Sequence, residues 1–398
     1  MDLSKRTVSA IAAFLALGLS LGACSPSRSS GESGTNGAIN ITAIGVIQSA
    51  QVSLPDAAAA FRAKVDAVNA AGGVNGREIN LTICDDKFDQ NTAASCAREA
   101  VSNKAVMVVS HYEPYSPSVL PVLEAATIPY VYGTLAAPID GTSPMAFPKD
   151  AGIFGSYSSL GEELIMRGCQ KVGAIVDQQP NTITSAQWLQ KGVQAVGGQF
   201  VSTPSSTTAT EFSAPLAKLT NQDVDCVVPA TDPSHGPLIV TAVKQSGMSL
   251  KIGAISSEFS ASALRTLGSA ADGMILTGAE YRPTDISVPT VAKVLADMKQ
   301  YQPSVPLETK FGIAAWSEVE ALTELLKTIK GPITSASVLT ALSTFTPRTG
   351  LYATFSYSAP APDPSLPRVK NWSYLVWTVE NGAAKLDSPD FRKLAAKI

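Results

Sequence analysis

From Ser110 to Ser118 the chain reads Ser-His-Tyr-Glu-Pro-Tyr-Ser-Pro-Ser, a stretch suited to holding a small polar molecule. Ser116 is a good helix N-cap, and Pro117 suits the first helical position. The free backbone amides of the turn beyond them would attract an anion. Ser116 could equally serve its own helix alone. Glu113, three residues earlier, repels an anion unless it is otherwise paired. Asp177, Asp232 and Glu258 stand at or just beyond predicted strand ends, as partners for a cationic group or as solvated loop acids. Tyr112, Tyr115 and Tyr281 offer aromatic walls. This is binding chemistry.

Catalytic chemistry is thinly represented. From Ile39 onward there is no Gly-x-Ser-x-Gly elbow, phosphate-binding Gly-rich loop or dinucleotide fingerprint. The two histidines, His111 and His235, lie far apart, and the cysteines are better used in bridges, so neither a metal nor a cofactor is expected. Asp85-Asp86 reads as the end of a strand. A net charge of −3 gives no basic surface for nucleic acid.

Strand and helix patterns alternate from Ile39 onward, the rhythm of βαβ units and parallel sheets. Predicted strands are Ile39–Ile47, Ile79–Asp85, Val106–Ser110 and Tyr130–Gly133, with helices Asp56–Ala71, Asn91–Ser102 and Ser118–Ala126 between them. A helix at Asp150–Arg167 opens a second series, with strands Val172–Val176, Gln199–Ser202, Cys226–Pro229, Lys251–Ile255 and Met274–Thr277. Ala186–Val196 and Leu238–Ser246 are among its helices. Helices Val291–Tyr301, Lys310–Ile329 and Ser337–Phe345 and a strand Tyr374–Val379 follow. At 398 residues, 45% of them hydrophobic, the chain can bury two cores. Open α/β sheets bind ligands at the carboxyl ends of their strands. With two facing halves, that rule selects Gln48–Ser53, Ser110–Ser116, Gly133–Ala136, Asp177–Thr184, Thr231–His235 and Ser256–Phe259.

The N-terminus reads as an address. Lys5 and Arg6 precede an apolar run, Val8–Leu21, too short to cross a bilayer as a helix. Leu21-Gly22-Ala23-Cys24 resembles a bacterial lipobox. Residues 1–23 are thus expected to be a lipoprotein signal peptide, Cys24 the lipidated first residue, and residues 24–38 a Ser/Gly-rich tether. Four cysteines remain for an oxidising compartment. Cys84 ends a strand and Cys96 lies in the next helix. Cys169 and Cys226 begin two strands that would be parallel neighbours in a doubly wound sheet. The expected pairs are Cys84–Cys96 and Cys169–Cys226.

One segment narrows the reading further. Residues 69–86, Asn-Ala-Ala-Gly-Gly-Val-Asn-Gly-Arg-Glu-Ile-Asn-Leu-Thr-Ile-Cys-Asp-Asp, describe a helix closing on a glycine pair, a tight turn and an alternating strand. In order and spacing they resemble the first helix-to-strand joint of the leucine/isoleucine/valine-binding protein family, the type I solute-binding proteins of ABC importers. That resemblance implies a two-lobed type I fold, each lobe a doubly wound parallel sheet flanked by helices, with three hinge crossings near Phe154, Pro283 and Pro347. Lobe 1 would comprise 39–153 and 283–347, and lobe 2 154–282 and 348–398.

It further implies a monomeric, lipid-anchored solute-binding subunit on the outer face of the cytoplasmic membrane, working with a permease and its ATPase subunits. A sensor of the same fold, presenting solute to a signalling receptor, is the alternative; an enzyme is not expected. By the family pattern, Ser116 would hold a ligand carboxylate, with Tyr115 beside it. Gly133-Thr134-Leu135 would add hydroxyl and backbone contacts. Asp177 would end a strand on the facing lobe, Asp232 or Glu258 would take an ammonium, and Tyr281 would wall the site. Gln178-Gln179-Pro180-Asn181 stands where the family often has Tyr-Gly, so an aromatic contact is missing there. An amino acid, an amide or a small organic acid would fit.

Overall fold

The computed structural model describes residues 37–394. The expected signal peptide, the lipidation site Cys24 and nearly all of the tether lie outside the described residues. No helix among them is long and apolar enough to cross a membrane.

The first series is β1 (Ile39–Gly45), α1 (Pro55–Ala70), β2 (Ile79–Asp85), α2 (Gln90–Ser102), β3 (Met107–Val109), α3 (Ser116–Ala125), β4 (Tyr130–Val131) and β5 (Ala146–Phe147). It forms a five-stranded parallel sheet in the order β2-β1-β3-β4-β5. β1 lies inside the sheet, between β2 and β3, and is nearly continuously buried, as a parallel strand covered on both faces must be. Pro55 starts α1, and the run Ala57–Ala60 supplies strong helix formers with little bulk, so the helix lies close on the sheet.

The second series is α4 (Gly152–Met166), β6 (Lys171–Asp177), α5 (Pro180–Ala195), β7 (Gln199–Ser205), α6 (Ser213–Thr220), β8 (Cys226–Ala230), α7 (Gly236–Ser246), β9 (Lys251–Ile255), α8 (Ala261–Leu267) and β10 (Ile275–Gly278). The C-terminal third adds α9 (Pro289–Tyr301), α10 (Lys310–Thr328), α11 (Ser335–Leu342), β11 (Ser373–Glu380), β12 (Ala383–Leu386) and β13 (Arg392–Lys393). The second sheet runs β12-β11-β10-β9-β8-β6-β7, with β13 paired to β11. Its parallel part repeats the strand order of the first sheet; β11 and β12 extend it antiparallel. The result is the expected two-lobed α/β architecture.

The chain leaves the first sheet after β5, and α4 packs on β9 and β10 of the second. After β10 it returns, and α9 and α10 pack on α1. An antiparallel bridge between Glu280 and Tyr352 ties the outgoing segment to the one that leads back to β11. Close contact between α4 and α5 depends on two glycines. A Cβ on Gly161 would stand 2.6 Å from the Leu189 carbonyl oxygen, and one on Gly192 2.0 Å from that of Ser158.

Both disulfides are those expected, Cys84–Cys96 and Cys169–Cys226. β6 and β8 are adjacent, with Val172 opposite Cys226, which puts both cysteines at one end of the sheet. Several short elements escaped the sequence reading: β5, α6, α8, β12 and β13. α5 starts at Pro180, six residues before the expected Ala186. Its first turns, Pro-Asn-Thr-Ile-Thr-Ser, carry little apolar periodicity, so only packing fixes them as helix.

Candidate functional site

The strand ends of both lobes face one cleft of about 290 Å³. From the first lobe come Gln51–Leu54 after β1, Tyr112 after β3, and Thr309 and Phe311 at the start of α10. The second lobe contributes Tyr157 of α4, Asn181, Thr182 and Ser185 of α5, the loop Thr231–Ser234, and Ser257 and Glu258 after β9, while Ile153, in the first turn of α4, stands where the chain crosses between the sheets. A neighbouring space of about 580 Å³ lies between Phe88, Pro114, Tyr115 and Ala136–Pro138 on one side and Gln179–Asn181 and Thr184 on the other. Asn181 lines both.

Distant segments are held at the cleft by buried polar contacts. Asp56, in the first turn of α1, accepts hydrogen bonds from the Glu308 amide at 3.0 Å and the Thr309 amide at 2.7 Å. That fixes the start of α10 and sets Phe311 against Tyr112, ring centroids 5.0 Å apart. In the second lobe, Asp177 Oδ2 accepts from the Asp232 amide at 2.9 Å and contacts His235 Nδ1 at 2.8 Å. Asp177 thus shapes the Thr231–His235 loop from beneath, with its own carboxylate turned from the cleft.

Two carboxyls reach the cleft wall, those of Asp232 and Glu258. Both residues are only 8% exposed. Burial raises the Asp232 carboxyl above its usual range, against the hydrogen bond it accepts from Gln179. Burial pushes Glu258 up to about 8, opposed by the Tyr157 hydroxyl and reinforced by the nearby Asp177 charge. Tyr157 Oη contacts Glu258 Oε1 and lies 3.1 Å from the Pro229 carbonyl oxygen. Glu258 Oε2 has no hydrogen-bond partner among the described residues.

Ser116 is not the cap expected from the sequence. Tyr115 occupies the N-cap position of α3, Ser116 is the first helical residue, and no side chain of the cap position bonds the turn. The Ser116 hydroxyl faces the buried carboxyl of Asp140, which burial pushes up to about 6. Glu113 is turned back beside this turn, and its Oε1 accepts a hydrogen bond from the Tyr115 amide. Burial, then the charges of Asp86 and Asp140, drive the Glu113 carboxyl well above its usual range.

The remaining candidates are distributed unevenly. Tyr112 lines the cleft, while Tyr115 lines the neighbouring space with its hydroxyl on the Phe88 carbonyl at 3.1 Å. Thr134 is buried and donates to the His111 carbonyl at 2.7 Å. Gly133 backs onto the Tyr130 ring, and Leu135 packs beneath Gly141 and Gly152. Tyr281 donates to the Pro389 carbonyl at 2.6 Å and meets Phe391 edge-on. None of these last four lines the cleft or its neighbour. The sequence reading missed Tyr157, Thr309 and Phe311. Tyr157 sits inside a helix and the other two begin one, so no strand-end rule could select them.

Two hinged α/β lobes with strand ends converging on a cleft define a protein that binds a small molecule between its halves. Residues 44–364 match the family model described as periplasmic binding protein, and the chain belongs to that family of solute-binding proteins. Among solved structures, an extracellular ligand-binding receptor from Verminephrobacter eiseniae is 18% identical with a TM-score of 0.74, covering 87% of this chain and 99% of its own. A leucine-binding protein from Thermotoga maritima is 16% identical with a TM-score of 0.71, covering 88% and 98%. An ABC transporter solute-binding protein from R. palustris, in complex with 4-hydroxybenzoate, is 16% identical with a TM-score of 0.74, covering 90% and 98%. A comparison with curated proteins gives no match.

Proposed function

We propose that this chain is the lipid-anchored solute-binding subunit of an ABC importer, closing about its hinge on a small polar solute and presenting it, as a monomer, to a membrane permease. The observation that carries the reading is the cleft, whose walls come from the strand ends of both sheets. A solute that touches both walls stabilises the closed form selectively, and only such differential contact can drive closure. Lobe 1 is taken as 39–153 and 283–347, and lobe 2 as 154–282 and 348–398. Asp232 and Glu258 are the proposed polar contacts of lobe 2, with Tyr112 and Phe311 as the apolar wall of lobe 1.

The solved neighbours include a leucine-binding protein and one holding 4-hydroxybenzoate, so this fold takes solutes of different chemistry. Micromolar affinity needs about 8 kcal/mol. One buried aliphatic group contributes about 1.5–3 kcal/mol, so several polar contacts must add to it. Lipid anchoring through Cys24 is proposed from the leader pattern alone. Mass spectrometry of small molecules extracted from the purified protein tests the reading. A stoichiometric solute, whose re-addition contracts the particle in solution scattering, is expected. Particles that never change size with any extracted solute would count against it.

A further inference from the structure

The charge of the cleft walls points to the class of solute, resting on the binding reading above. Among the described residues, those lining the 290 Å³ cleft include two carboxyls, Asp232 and Glu258, and no Lys, Arg or His. The adjoining 580 Å³ space has no charged residue among them. The Tyr115 amide, just before α3, is already taken by the protein's own Glu113. Glu258 is more than nine-tenths buried at the cleft wall, and one of its carboxyl oxygens lacks a partner. The aromatic residues Tyr112, Phe311 and Tyr157 line the cleft, and the faces of aromatic rings attract cations.

We propose that the solute is an organic cation without a carboxylate, such as a protonated aliphatic amine or a quaternary ammonium, held between Glu258, Asp232 and the aromatic wall. A zwitterionic amino acid would have to bury its carboxylate beside these two acids with only neutral hydroxyls and amides to receive it. A carboxylate buried in this site without a cationic partner would bear the full cost of its desolvation. A cation instead supplies the missing partner of Glu258.

The protonation of Glu258 gives the proposal a second handle. The groups around it are Tyr157 of α4, Asp177 at the end of β6 and Asp232 in the loop after β8. Behind the Ser256–Phe259 segment after β9, the Arg282 guanidinium donates to the Ser256 and Phe259 carbonyls at 2.8 and 2.6 Å, with Asp285 beside it. In the empty cleft Glu258 therefore holds a proton at neutral pH, and an arriving cation displaces it. Cation affinity then rises with pH toward about 8. A neutral Glu258 donating to a bound anion would give the opposite slope.

Isothermal titration of the full mature protein with isopentylamine, leucine and isocaproate separates the classes, because the three carry the same branched alkyl group and differ in charge. Choline and putrescine extend the cation set. Expected are a cation bound at least roughly tenfold tighter than leucine or isocaproate, affinity that increases with pH, and proton release measured in buffers of different ionisation heat. Glu258→Gln should lower cation affinity by roughly tenfold or more and abolish the proton release. Asp232→Asn provides a second variant should the first fold poorly. Tighter binding of leucine or isocaproate, affinity that is flat or falls with pH, or no binding by any cation overturns the proposal. Leucine or isocaproate binding accompanied by contraction in scattering would leave the solute-binding reading standing. Absence of any solute from the extract bears on that reading separately.

Discussion

The Tyr157 hydroxyl has one proton to give and two oxygens within reach, Pro229 O and Glu258 Oε1. Given to Glu258 Oε1, that proton favours the ionised carboxyl, which burial otherwise pushes up to about 8. Removing the hydroxyl takes away an interaction that favours the carboxylate. Tyr157→Phe should therefore move the apparent midpoint of solute binding to still higher pH, read from affinity measured across pH 6 to 9. A midpoint at or below that of the unaltered protein would contradict the role given to this hydroxyl. Asp177 illustrates the opposite case: it acts through the Asp232 amide and His235, so it is a positioning residue. Asp177→Asn should weaken solute binding by loosening the loop and, by removing a charge that raises Glu258, move the midpoint to lower pH.

Two disulfides and one buried charge cluster set the rigidity of the elements. The Cys84–Cys96 bridge joins β2 to α2 across a separation of 12 residues; Cys169–Cys226 joins the starts of β6 and β8 across 57. Loop-closure entropy assigns about 3 kcal/mol to the shorter and about 4 kcal/mol to the longer. Replacing each pair with serine should lower the denaturation midpoint, more for the second pair. At the hinge, Lys149 is fully buried, with Glu318 at 3.5 Å, Glu280 at 3.8 Å and Asp150 at 3.9 Å. Burial alone would lower its pKa, yet these carboxylates hold it above its usual value. Lys310 joins the same group through Glu280 at 3.9 Å. Lys149→Met strands buried carboxylates where the chain crosses between lobes, and a loss of about 3–5 kcal/mol in urea denaturation is expected.

The whole molecule should feel these buried acids as a dependence of stability on pH. Glu258 ionises near 4.5 when unfolded and near 8 when folded. Between those values the native state binds more protons than the unfolded chain, so stability falls as pH rises. His111 works the other way at lower pH: burial depresses it from 6.5 to about 4, so stability is lost as pH falls below 6.5. From pH 6.5 to 8 only the acids remain. The unliganded protein should lose stability over that window, with Glu258 contributing roughly 2 kcal/mol. Thermal denaturation at a series of pH values checks this, and Glu258→Gln should flatten the decline. A cation that binds Glu258 would cancel the loss as well, since it favours the ionised form in the native state.

Local periodicity was enough to read the alternation of strands and helices, the two sheet-forming series and both cysteine pairs, because strand and helix patterns repeat within a few residues. It also selected the loops that meet at the cleft, since strand direction fixes which end of a parallel sheet is open. It could not choose among the side chains on those loops. Asp177 and Asp232 look alike in sequence, yet one is turned under the loop and the other faces the cleft. Phe311 reaches the site only because Asp56, more than 250 residues earlier, ties the start of α10 to α1. Such choices are made by contacts between segments remote along the chain, and no window of neighbouring residues contains them.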